Sequence, residues 1–235
     1  MGEHSRKAEI IYLTEGDIIA IHNDIIYNDE DAEPGVMKRG SIDFVLTYIE
    51  EGFHGEVPEG IHEKAVQLFR LLSANHIFAD GNKRTALNAT WTFYFLNGYY
   101  FKYGEEIKAI LKLFAVMERM VDTTEVTGYF EEIAAPILTS PEVNRETKQF
   151  YEFTMQSYEL VAELTYQIEN LESPQDVIEA GEIARSLITV FSKMHLLIEG
   201  EDIDEIPVDI EPFHEHAIAA ANIVDELQLR IDEFD

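Results

Sequence analysis

Apolar residues along this 235-residue chain recur mostly at spacings of three and four, and this periodicity predicts a largely helical protein. Thr14 reads as an N-cap with Asp17 three residues on. It opens a helix that carries Ile18, Ile19, Ile21 and Ile25. An acidic, proline-containing loop over 28–35 follows. Ser41 is then expected to cap a second helix carrying Phe44, Val45, Tyr48 and Ile49. Residues 52–60 hold three glycines and a proline, which predicts a loop or short hairpin. Helical spacing resumes at Ile61, Ala65, Leu68 and Leu72, breaks at 76–81, and returns at Ala86, Ala89, Phe93 and Leu96. Gly98 is a natural C′ residue for that helix. Two further helices are expected at about 104–120 and 123–134.

Pro136 and the run Thr139-Ser140-Pro141 mark a boundary. Three apolar ladders follow. The first is Tyr151, Met155, Tyr158, Ala162, Thr165 and Ile168. The second is Val177, Ala180, Ala184, Leu187, Phe191, Met194 and Ile198. The third is Phe213, Ala217, Ala220, Val224, Leu227, Ile231 and Phe234. Stripes of this kind bury against other helices. Ser173 with Pro174 predicts one helix start, Gly200 a stop, and 199–211 an acidic linker. The expected organisation is a first domain over 1–139 and a helical bundle over 140–235. The bundle would pack on itself, on the first domain or on a second copy in a homo-oligomer, and would serve assembly or regulation.

Charge adds a constraint. The chain has 46 acidic and 17 basic residues, for a net charge of −29. The acid is distributed, with 23 acidic against 12 basic residues in 1–139 and 23 against 5 in 140–235. Such a surface repels phosphate backbones, so direct nucleic-acid binding is not expected. Acidity spread along the whole chain favours a protein adapted to high salt over an acidic mimic of nucleic acid, which would concentrate its charge on one face. On that reading the melting temperature should rise strongly between dilute buffer and molar KCl. A flat or falling melting temperature in a salt series would return the mimic to first place. Cysteine is absent, so disulfides and thiolate metal sites are excluded. There is no apolar run of about 18 residues and no signal-peptide pattern, so the expected setting is soluble and cytoplasmic.

The chemistry concentrates in the break between two helices, His76-Ile77-Phe78-Ala79-Asp80-Gly81-Asn82-Lys83-Arg84. A Gly-Asn pair opening a helix points backbone N–H groups at one spot and makes an anion site. Lys83 and Arg84 add cationic donors suited to phosphate. Cations in a first turn oppose the helix dipole, so an anionic ligand is needed to offset them. Asp80 is a hard oxygen ligand beside that spot, as a magnesium ion bridging phosphates requires. His76 is the one group in the loop able to take a proton near neutral pH. Phe78, between two functional positions, is expected to plug into the core. The alternative is an ordinary polar helix–loop–helix turn. Seven fixed residue types in nine positions make a chance match rare, on the order of one in ten million. Other histidines are weaker candidates. His214 and His216 are two apart and face different sides of a helix, and His22, His54, His62 and His195 lack partner spacing.

The segment His76-Ile-Phe-Ala-Asp-Gly-Asn-Lys-Arg-Thr-Ala-Leu-Asn88 resembles the signature of the Fic/Doc family in its Doc-type form. The resemblance extends plausibly over residues 10–134. It implies an all-α fold: a helical core with a small β-hairpin flap at Gly52–Gly60, followed here by the C-terminal bundle. It further implies ATP and Mg²⁺ as cofactors, with His76 as general base toward a protein hydroxyl and Asp80 as the magnesium ligand. Gly81, Asn82, Lys83 and Arg84 would bind the nucleotide, and the flap would align the target segment by strand-like pairing.

Two positions bear on which group moves. AMP-transferring members have Gly where Lys83 stands, and a second Arg where this chain has Leu87. Doc-type members share both departures and move a terminal phosphate onto a translation factor. The resemblance therefore implies a toxin-like phosphotransferase with an elongation factor as protein substrate and an antitoxin as partner. AMP transfer by the same site is the alternative within the family, and a non-catalytic binding module is the alternative outside enzymes. Family members are often silenced by a helix bearing Ser/Thr-x-x-x-Glu-Gly/Asn. Thr47–Gly52 and Thr165–Asn170 match that pattern.

Overall fold

A computed structural model describes residues 10–27, 29, 32–200 and 222. The chain divides into two compact units, Met1–Ser140 and Pro141–Asp235. In the first, the described helices are α1 (Glu15–Tyr27), α2 (Gly40–Glu51), α3 (Gly60–Ala74), α4 (Asn82–Leu96), α5 (Glu106–Met117) and α6 (Thr123–Ile133). A 3-10 turn follows α5 at Glu118–Met120. Two short strands, β1 (Tyr99–Phe101) and β2 (Ala134–Pro136), pair antiparallel. In the second unit, α7 (Arg145–Glu169) and α8 (Pro174–Glu199) pack together as a hairpin. No helix among the described residues is long and apolar enough to cross a membrane.

The start signals act as their chemistry dictates. The Thr14 hydroxyl accepts from Asp17 N–H at 3.2 Å, and Asp17 accepts from Thr14 N–H at 2.7 Å, a reciprocal capping box. Ser173 and Asp176 form a second such box, with Pro174 in the first turn of α8. Ser41 departs from expectation. It lies inside the first turn of α2, whose N-cap is Arg39. Met37 and Lys38 both donate backbone N–H to Ile77 O, at 2.8 and 3.1 Å. That pairing fixes the chain just upstream, and the helix begins before the serine is reached.

Within the first unit, α3 and α4 are the central pair, and α1, α2, α5 and α6 pack around them. Phe69, Tyr94, Phe101, Phe114 and Phe130 form the aromatic centre of the core. Burial pushes the Tyr94 hydroxyl upward, with Glu131 and Tyr99 adding to the shift. That hydroxyl lies 3.0 Å from His62 Nδ1. Burial lowers the pKa of His62 in turn. Lys64 is buried on α3, and its ammonium donates to Ile49 O and Glu50 O at the end of α2. A cation there satisfies carbonyls that the helix leaves unpaired.

Residues 52–60 do not form a ladder of strands. Phe53 and Glu56 make one bridging pair around His54 and Gly55, whose φ values are +53° and +87°, a two-residue turn of the I′ kind. The paired strands of this unit are instead β1 and β2, which join the ends of α4 and α6. Pro58 has no N–H to extend the turn into strands. Gly52, at φ +82°, is required by contact: a Cβ there would lie 2.3 Å from Glu56 O. Both Ser/Thr-x-x-x-Glu-Gly/Asn matches are helix ends. Gly52 is the C-cap of α2 and Asn170 that of α7, positions that favour these residues for backbone reasons.

In the second unit, α8 buries Val177, Ala180, Ala184, Leu187, Phe191 and Met194, the stripe its periodicity predicts. α7 does not follow its predicted ladder. It buries Phe150, Thr154, Ser157 and Leu164, while Tyr158 and Ile168 stay exposed. Thr154 and Ser157 return their hydroxyls to Phe150 O and Thr154 O, at 2.9 and 2.7 Å. With the hydroxyls satisfied inside the helix, these small residues are available for a buried face, and the seam lies one position away from the larger side chains. The third ladder, the acidic linker from 201 onward, His214 and His216 fall outside the described residues, except that Asn222 is helical.

Candidate active site

The motif loop begins where α3 ends. Asn75 is the C-cap, donating its N–H to Leu71 O at 3.2 Å. His76 follows at φ +47°, a left-handed conformation in which histidine is over-represented, and its side chain is exposed. Ile77 and Phe78 are fully buried, so the chain dips into the core directly after the histidine. Asp80 is exposed again, Gly81 is left-handed at φ +74°, and α4 starts at Asn82. Side chains therefore alternate between anchoring the loop and facing outward.

The anchors come from two directions. Asn82 Oδ1 accepts Phe78 N–H at 2.9 Å, and Asn82 Nδ2 donates to Phe78 O at 2.8 Å, so one side chain satisfies both backbone groups of the buried phenylalanine. The segment Gly35–Lys38 lies antiparallel to the loop. Gly35 O accepts Ala79 N–H at 2.9 Å, Val36 bridges Phe78, and Lys38 Nζ donates to Asn75 O at 3.1 Å.

The outward groups make a polar cluster. No side chain caps the N-terminus of α4, so its first N–H groups face the cluster with the positive end of the helix dipole behind them. Asp80 Oδ1 accepts Gly81 N–H and stands 4.0 Å from an Arg84 nitrogen. Arg84 Nη1 pairs at 2.6 Å with Asp29, from the loop after α1. Lys83 is exposed in the same first turn, and Leu87 is half-buried one turn on. The six residues singled out from sequence, His76, Asp80, Gly81, Asn82, Lys83 and Arg84, are thus contiguous in one loop and helix start. Asn82 differs from the others in that its side chain is engaged with Phe78. What it offers an anion is its backbone N–H.

Two residues here escaped sequence reasoning. Asp29 is one acid among several in its loop, and nothing in its spacing points to Arg84. His22 has no partner at metal-ligand spacing in the sequence. It is 1% exposed, its ring stacks on Phe78 at 3.7 Å and 11°, and Nδ1 lies 3.3 Å from Thr85 Oγ1. Burial lowers its pKa, Arg84 lowers it further, and Asp80 opposes both. The signal available in the sequence was its place on the apolar face of α1, between Ile18 and Ile25.

Residues 12–94, which include this loop, match the model of the Fic/DOC family. That segment, about a third of the chain, is similar to the Fic/Doc family. The chain is also similar to the Toxin Doc of Mycolicibacterium smegmatis (strain ATCC 700084 / mc(2)155), 53% identical over 36 residues. That match covers 15% of this chain and 28% of the relative's length. The Fic/Doc match ends within α4, and the α7–α8 hairpin lies wholly outside it.

The loop has a donor set that fits a magnesium–nucleotide. Gly81 has no side chain to cover the helix start, and the exposed Arg84 guanidinium stands beside it, paired with Asp29. Among the described residues there is no group of three or more acidic or histidine side chains that could hold a metal alone. A magnesium ion here would take Asp80 together with phosphate oxygens and water, as such ions commonly do.

Proposed function

We propose that this Fic/Doc site transfers the γ-phosphate of ATP to a hydroxyl of a protein, in a toxin-like role. The observation that carries the reading is the uncapped N-terminus of α4, flanked by Asp80 and Arg84 and preceded by an exposed His76 on the same loop. Phosphoryl transfer asks a protein mainly for positioning and charge stabilisation, and the loop offers both. Bound Mg²⁺ and ATP supply the transferable phosphate and the neutralisation of its charge. The first-turn N–H groups and Arg84 hold phosphate oxygens. Asp80 holds the magnesium. His76 takes the proton of the attacking hydroxyl at an imidazole nitrogen.

Lys83 and Leu87 favour γ-phosphate over AMP transfer. Lys83 puts a long cationic side chain where a glycine would leave room for inner phosphates to lie along the nest. Leu87 places an apolar side chain where a second guanidinium would hold the outer phosphates of an AMP-donating pose. The matching test uses ATP labelled separately on the α- and γ-phosphates, with lysate as the source of target. Label on a protein from the γ-position alone is the expected result. Label from the α-position alone would make the site an AMP transferase, and label from neither would make the chain a binding module. The similarity to a Doc toxin favours an elongation factor among the labelled proteins and an antitoxin as partner.

Asp29 already satisfies part of Arg84, so an incoming phosphate has to displace it. Asp29→Asn is expected to tighten Mg·ATP. Both side chains are more than a third exposed, which limits the gain to about fivefold. Titration calorimetry at low and high salt checks this. The gain should shrink as salt screens the pair, and weaker binding in the variant would mean that Asp29 orients Arg84 instead of competing for it.

A further inference from the structure

We propose that His22 is a positioning residue for the anion site: its ring lies beside Gly81 and sets the start of α4 through Thr85. The inference rests on the reading that this helix start binds phosphate. The parallel stack on Phe78 fixes the plane of the imidazole. Within that plane, Nδ1 and Cε1 form the edge turned toward the nest. Each lies 3.5 Å from the point where a Cβ on residue 81 would stand, and Nδ1 is 3.3 Å from Thr85 Oγ1. One buried ring therefore touches the loop's plug, its left-handed glycine and the first turn of its helix. A Cβ at 81 would meet Ile26 Cδ1 at 3.3 Å and the ring at ordinary contact distance, so the ring borders the glycine, whose left-handed φ of +74° is what calls for the residue.

Core packing alone does not explain a histidine here. Phenylalanine would fill the same stack, and it would not leave Nε2 buried without a hydrogen-bond partner, as it is among the described residues. What phenylalanine would lose is the bond to Thr85. That bond crosses from α1 to α4 and holds the turn whose N–H groups face the ligand. Burial and the nearby Arg84 keep the ring uncharged, so it contributes geometry and not a further positive charge.

The test separates geometry from stability. His22→Phe keeps the stack and removes the orphan nitrogen and the Thr85 bond. It should melt at or above the wild-type temperature while binding pyrophosphate and Mg·ATP about tenfold more weakly, the upper end for one lost neutral hydrogen bond. Thr85→Val should show a similar loss of affinity, and the double variant should be no weaker than either single one. His22→Asn, which can still reach Thr85 but cannot stack, should show the opposite pattern: a lower melting temperature and affinity partly restored. Wild-type affinity in His22→Phe, additive losses in the double variant, or affinity that merely follows melting temperature would each overturn the proposal. So would a wild-type protein that binds no pyrophosphate. If pyrophosphate binding follows the expected pattern but no label passes from ATP to protein, the transferase reading fails and the role of His22 stands. If label transfers and His22→Phe binds and reacts as wild type, the role of His22 fails and the transferase reading stands.

Discussion

His76→Ala is expected to lower the rate of phosphate transfer by about 10²–10⁴-fold while leaving Mg·ATP affinity largely unchanged. The separation follows from the geometry. His76 precedes the buried pair Ile77-Phe78, whereas the groups offered to the nucleotide follow it at Asp80, Gly81 and the first turn of α4. Removing the imidazole takes away a proton acceptor and leaves the nest in place. The backbone complicates an alanine there, because φ is +47°. A left-handed residue with a Cβ costs about 1–2 kcal/mol unless its side chain suits that conformation. His76→Asn is the control, since asparagine tolerates the left-handed region but cannot accept a proton near neutral pH. Both variants should lose the rate, and the asparagine variant should keep the wild-type melting temperature. The measurement is single-turnover transfer from γ-labelled ATP at saturating nucleotide. A wild-type rate in either variant would remove His76 from the chemistry.

Asn82→Ala should damage fold and function together. The Asn82 amide satisfies both the N–H and the C=O of Phe78, a residue that is 1% exposed. Alanine leaves both groups unpaired beside the core, at about 1–3 kcal/mol for each unsatisfied group. Taking about 2 kcal/mol in total, a domain of this size should melt about 4–8 °C lower. Activity should fall further than this loss of stability explains, because Phe78 sets the distance between His76 and the helix start. Asn82→Asp keeps the acceptor for Phe78 N–H but loses the donor for Phe78 O, and it should lie between the two. Calorimetry together with the label-transfer rate checks both parts. An unchanged melting temperature in Asn82→Ala would show that the clamp does not hold the loop.

What could be read in the residues divides by range. Local rules sufficed where the partners are three or four positions apart: Thr14 with Asp17, Ser173 with Asp176, and Gly98 after α4. The motif loop was legible because its chemistry is contiguous from His76 to Arg84. Residues set by distant neighbours were not. Ser41 lost its capping position to hydrogen bonds from Met37 and Lys38 to Ile77, about 40 positions on. The buried face of α7 was misplaced because Thr154 and Ser157 read as polar, although both hydroxyls are satisfied within the helix. His22 is 63 positions from Thr85, and Asp29 is 55 from Arg84. No spacing rule relates residues so far apart, and only the packing of α1 against α4 makes them neighbours.

The antiparallel pairing of Gly35–Lys38 with Ile77–Ala79 has a consequence for how this site tolerates change. The pairing uses main-chain groups almost throughout, so it is indifferent to which side chains stand at Val36 and Met37. It is not indifferent to their count. One residue inserted or deleted within 35–38 shifts the register and turns each donor away from its acceptor. Random substitution there should leave much of the site intact, whereas single-codon insertions and deletions should abolish it. The reactive loop is thus guarded by chain length, a property that point-mutation surveys do not sample.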